Sequence, residues 1–174
     1  MNRLWTVLAV LCCALAIPPA HAAKGKVALI PAYVVNGAAG NRAVVTDALR
    51  ANLEQEGYEV LSAGVVASAM RAEKMDLANP QTVGNLSALR EATGADYVVY
   101  PRVLSVGVGV NSRNRQANIL VNVTGKSKTS FLYTKQIGQV FAPGDAGPAE
   151  AVISQDAADT AATRLLGGFY SKVR

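Results

Sequence analysis

Thr124 to Ser130 read TGKSKTS. The core of this stretch, Gly125-Lys126-Ser127, matches the tail of a phosphate-binding Walker loop, and its two readings lead to different folds. A Walker loop needs Gly-x-x-x-x-Gly-Lys-Ser between a strand and a helix, so that the helix amino terminus and successive backbone amides cradle the phosphates. The position five before Gly125 is Leu120, and on the carboxy-terminal side SFLYTKQI, Ser130 to Ile137, alternates as a strand does. The stretch therefore reads as a hairpin turn with Gly125 supplying a positive φ, and no nucleotide is expected. Gly107-Val108-Gly109 fails as a dinucleotide fingerprint, because Ser112 stands where the third glycine belongs.

The flanking residues extend the hairpin into a meander. Tyr97 to Val110 is a long strand, Asn111 to Gln116 a polar turn, Asn118 to Thr124 the next strand, and Ser130 to Phe141 the last. Upstream, Val27 to Ala32 (VALIPA) suits a short buried strand. Asn41 is placed to cap a helix whose Val45, Leu49 and Leu53 recur every fourth residue, and Gly57 stands at its left-handed carboxy-terminal cap. Tyr58 to Leu61 is a second strand, and Ser62 caps a short helix. Asn79-Pro80 reads as the start of another helix, with an apolar stripe of Val83, Leu86, Leu89 and Ala92 that stops at Gly94. After the loop Ala142 to Pro148, Ile153, Ala157, Ala161, Leu165 and Phe169 mark one face of a final helix. The reading is an α/β (α+β) fold in the order β-α-β-α-α-β-β-β-α. Helices pack on a mixed sheet of about five strands that ends in a three-strand meander and a carboxy-terminal helix.

The amino terminus predicts export. A short start carrying Arg3, an apolar run from Leu4 to Ile17, Pro18-Pro19 and then Ala20-His21-Ala22 have the layout of a signal peptide cleaved after Ala22, with an apolar core too short to span a bilayer. The expected organisation is a leader at 1–22 and one globular domain at 23–174, placed in the periplasm. Lipidation at Cys12 or Cys13 is the alternative, but Leu11 does not suit the position before a lipidated cysteine. Cleavage after Ala22 removes both cysteines and His21, the single histidine. Such a chain has no disulfide, no Ser-His-Asp or Cys-His catalysis and no histidine or thiolate metal site. No cofactor is expected.

The chain has 17 basic and 12 acidic residues, an excess that suits an anionic envelope surface and peripheral contact with an outer membrane, yet falls short of a nucleic-acid footprint. Arg113 and Arg115 sit in the turn before the Asn118 to Thr124 strand, Lys126 and Lys128 in the turn after it, so a meander sends the two pairs to opposite ends of the sheet. These four are candidate partner contacts. So are Tyr97 and Tyr100, which alternation puts on opposite faces of their strand: one to close the core, the other to meet a partner.

The element order, with GADYVVYPRV at Gly94 to Val103 and VNVTGKSKTSFLYTKQIG at Val121 to Gly138, resembles the domain shared by curli-secretion (CsgG-like) lipoproteins, the peptidoglycan-synthase activator LpoB and the amino-terminal domain of TolB. The likeness covers most of Lys26 to Arg174. It implies a non-enzymatic envelope domain that docks to an envelope protein or to itself. The alternative is a small-ligand binder or carboxylate-dependent enzyme, with Asp47, Glu54 or Asp96 near a cleft.

Overall fold

The computed structural model describes residues 23–108, 115–142 and 152–173. The leader, most of the turn at Asn111 to Gln116, Arg113 included, and most of the loop after the meander lie outside these residues. The elements are β1 (Lys26–Leu29), β2 (Tyr33–Val34), α1 (Asn41–Gln55), β3 (Glu59–Val60), α2 (Ala63–Ala72), α3 (Val83–Thr93), β4 (Tyr97–Val108), β5 (Arg115–Thr124), β6 (Tyr133–Ala142) and α4 (Gln155–Lys172). Their order follows the sequence reading, with one addition: the two-residue β2, which pairs in parallel with β4 at Arg102 and Val103.

The sheet runs β3-β1-β4-β5-β6. Its first three strands are parallel and the last three form the antiparallel meander. From β1 the chain moves outward through α1 to β3, then returns past β1 through α2 and α3 to β4. Right-handed crossovers in opposite directions put their helices on opposite faces. The two buried clusters follow from this. Val27, Leu29, Val99, Val103, Ile119 and Val121 pack with α1 and α4 on one face, while Ala28, Ile30, Val98 and Tyr100 meet Val66 of α2 and Leu86 and Leu89 of α3 on the other.

The stripe of α4 is buried as its spacing demands, with Leu165, Leu166 and Phe169 fully enclosed. Each such side chain contributes about 1.5–3 kcal/mol by leaving water. Phe169 holds an aromatic group together: its ring centroid lies 5.2 Å from that of Tyr97, 5.6 Å from Tyr58 and 5.6 Å from Tyr170. The approach of α4 to β6 is close enough that a Cβ on Gly168 would stand 2.8 Å from the Tyr133 hydroxyl.

Caps show where local reading holds and where tertiary structure overrides it. Ser62 Oγ accepts from the Val65 amide at 3.4 Å, and Gly57 (φ +88°) and Gly94 (φ +64°) take the left-handed conformation expected after α1 and α3. Three readings need correction. Asn41 is not the cap of α1; Gly40 holds that place, and the Asn41 side chain is fully buried with its Oδ1 accepting from the Ile153 amide at 2.7 Å. The cap of α3 is Thr82, whose Oγ1 accepts from Asn85 at 3.2 Å. Asn79 instead belongs to a turn, its side chain donating to Asp76 Oδ2 at 2.9 Å. Gly125 does not have a positive φ: the connection from β5 to β6 is a loop of several residues, not a tight turn, and so needs none.

Burial also fixes a pH response. The Tyr170 phenol donates to Asn52 Oδ1 at 2.7 Å, and burial, then the Glu56 and Tyr58 charges, push its pKa above the ordinary tyrosine range. Burial raises Tyr100 and Tyr133 as well. A folded-state pKa raised above the unfolded value of about 10 stabilises the fold below that pH, and the contribution is lost as pH climbs through the folded value. Thermal melts from pH 8 to 12 should therefore show a falling midpoint above about pH 10. While the protein keeps its native circular dichroism, phenolate absorbance of these three residues should be delayed to higher pH than that of a free tyrosine. Full phenolate absorbance at the ordinary tyrosine pKa in a natively folded protein would refute this.

Candidate functional site

Local chain directions bring four segments to one end of the sheet: the residues leading into β1, the start of β4, the β5–β6 loop and the last turn of α4. They enclose a cleft of about 770 Å³, within the range of small-molecule sites. Tyr97, Phe131, Leu132 and Val173 supply its apolar lining, and Lys24, Lys126, Lys172 and Asp96 its charge. Gly125 is buried against this wall; a Cβ there would lie 3.4 Å from Leu132 Cδ2 and 3.8 Å from Tyr97 Cδ1. The loop thus lies against the Tyr97 ring, at a distance that a Cβ would meet in ordinary van der Waals contact.

The polar groups of the cleft differ in how far they are engaged. Asp96 Oδ2 accepts from the Lys26 amide at 2.8 Å, which pins the entry to β1 against the entry to β4. Lys24 pairs with Glu56 at 3.2 Å. Lys172 donates to the Leu132 carbonyl at 3.3 Å and lies 5.9 Å from the Tyr133 ring centroid. Ser127 Oγ accepts from the amides of Thr129 and Ser130, both at 3.3 Å, and meets Ser130 Oγ at 3.1 Å, which shapes the loop from within. Lys126 is exposed and has no ion pair or hydrogen bond among the described residues.

The residues singled out in the sequence separate accordingly. Tyr97 and Tyr100 do lie on opposite faces: Tyr97 is half-buried and lines the cleft, whereas Tyr100 is 1% exposed and packs under α2 and α3. Tyr100 is thus the member that closes the core, and its surface role is corrected. Lys126 lines the cleft, but Lys128 reaches the other way and pairs with Glu91 of α3 at 2.8 Å, holding that carboxyl below the usual carboxylate range. Arg115 opens β5 at the far end of the sheet, nine strand residues from Thr124 and so about 30 Å away. Arg113 lies outside the described residues. Of the three carboxylates weighed for a cleft, Asp96 lines it, while Asp47 and Glu54 are exposed on α1 and do not. Glu54 meets Arg50 at 3.6 Å. Sequence reasoning missed Lys24 and Lys172: the pairing of β1 with β4 brings the first to the cleft, and the placement of α4 brings the second.

A second feature is the edge formed by β6. Nine of its ten residues pair with β5 on one side, and among the described residues the sheet ends there. Thr134, Lys135, Gln136 and Gly138 are exposed along it. The opposite edge, β3, has only two residues.

A mixed sheet between two helix pairs, with the last helix on the larger core, defines an α+β class that solved structures share. Hypothetical protein CT253 from Chlamydia trachomatis superposes with a TM-score of 0.55 at 15% identity, over 87% of this chain and 98% of that one. Lipoprotein GNA1162 from Neisseria meningitidis gives 0.53 at 13% identity, over 85% and 96%. The LpoB C-terminal domain from Escherichia coli gives 0.50 at 15%, over 67% and 82%. At these identities the likeness is one of fold. No protein-family model matches the chain, and neither does any curated protein.

Proposed function

We propose that this chain is a non-enzymatic docking domain of the bacterial cell envelope, delivered to the periplasm by cleavage of residues 1–22. The observation that carries the reading is the β6 edge. It is long enough to accept an extended segment of an envelope partner, or of a second copy, as an added strand. Its exposed Lys135 discourages indiscriminate edge-to-edge pairing, as charged edge residues do elsewhere. The fold shared with a lipoprotein and with the LpoB domain supports the envelope setting. The wider kinship with CsgG-like proteins and TolB belongs to this proposal too.

The test is site-specific photo-crosslinking in intact cells, with the reactive group placed at Gln136 on β6 or at Asp156 on the exposed side of α4. One dominant adduct from position 136, an envelope protein or the protein itself, and none from 156 is the expected result. A monomer without adducts from either position would sink the proposal.

A further inference from the structure

The cleft makes a separate demand from the docking edge. We propose that it binds an amphipathic anion: a single phosphate or carboxylate headgroup carried on an apolar chain. The lining divides in the way such a molecule does. The Tyr97 ring, Phe131, Leu132 and Val173 offer apolar surface, and three lysines stand with them against one carboxylate. That carboxylate, Asp96, already accepts from the Lys26 backbone, so its charge is partly spent on holding two strand entries in place. Lys126 is the ammonium group left to meet a ligand, with Lys172 beside it in the lining. A headgroup there would gain a charge-assisted hydrogen bond from the Lys126 ammonium.

The same lining disfavours a peptide. An extended chain brings a backbone amide at each residue, and each buried amide needs a partner. The two serine hydroxyls of the cleft are committed to each other and to the loop backbone. An alkyl chain makes no such demand and gains about 0.8 kcal/mol for each methylene it buries. The volume of about 770 Å³ exceeds what inorganic phosphate alone would fill.

The experiment titrates octyl phosphate, below its micelle concentration, into protein covering 23–174 and follows backbone amide signals by NMR. Butyl phosphate, inorganic phosphate and uncharged octyl glucoside run in parallel. The expected result is saturable shifts around Tyr97, Lys126 and Leu132 with octyl phosphate, and weaker binding as the chain shortens. Lys126→Gln should weaken octyl phosphate about 5- to 10-fold without altering the melting temperature, since that side chain has no ion pair or hydrogen bond among the described residues. Raising salt should weaken binding in the wild type more than in the variant. Octyl glucoside binding as tightly as octyl phosphate would overturn the charged half of the proposal. Inorganic phosphate binding as tightly would overturn the apolar half. No saturable shift, or an unaffected Lys126→Gln, would overturn it entirely. None of these outcomes depends on whether β6 captures a strand.

Discussion

Phe169→Ala is expected to destabilise the fold by about 4 kcal/mol. The side chain is fully buried, and removing it costs both the transfer of its ring from water and the cavity left behind. Its neighbours are poorly placed to fill that cavity. Tyr170 is tethered through its hydroxyl to Asn52, and Tyr97 is fixed by its strand. Three edge-to-face or tilted contacts, with Tyr97, Tyr58 and Tyr170, are lost as well, each adding about 0.5–1.5 kcal/mol beyond area alone. With total stabilities of about 5–15 kcal/mol for a domain, the variant should lose much of its margin. Urea denaturation followed by circular dichroism measures this; a midpoint within error of wild type would show that α4 does not anchor the larger cluster. Because Tyr97 loses one of its two ring neighbours, the cleft wall should loosen in the same variant.

The second large effect is expected at Asn41. Replacing it with leucine keeps the branched side-chain shape, at a larger volume, but removes the acceptor for the Ile153 amide, a donor buried at the entry to α4. An unpaired buried donor costs about 1–3 kcal/mol. Hydrogen exchange gives the local readout: the Ile153 amide should lose its protection before α4 does. Unchanged protection at that amide would mean that the bond is not what joins the start of α1 to the start of α4.

That bond also shows why the sequence was readable in some places and opaque in others. The stripe of α4 was legible because burial there repeats every fourth residue, and Gly57 and Gly94 because a left-handed cap is a local need. Asn41 misled because its position suits a cap while its side chain serves a residue 112 positions away. Asn79-Pro80 misled in a smaller way: Asp76 draws Asn79 into a turn and leaves Thr82, three residues on, to begin α3. Lys126 and Lys128 looked like one pair. Whether each points to α3 or to the cleft depends on how the loop folds back over Tyr97, and no spacing in the sequence encodes that. The cleft itself was invisible for the same reason, since Lys24 and Lys172 stand almost a whole chain apart.

That the approach to β1 and the final turn of α4 border one hollow has a practical side. Ala23 and Val173 both line it, so an affinity tag or fluorescent protein joined directly before Ala23 or directly after Val173 would sit over its mouth. A circularly permuted chain, spliced across this gap and opened between α2 and α3, would retain every strand pairing while moving both new ends to the opposite side of the sheet from α1 and α4.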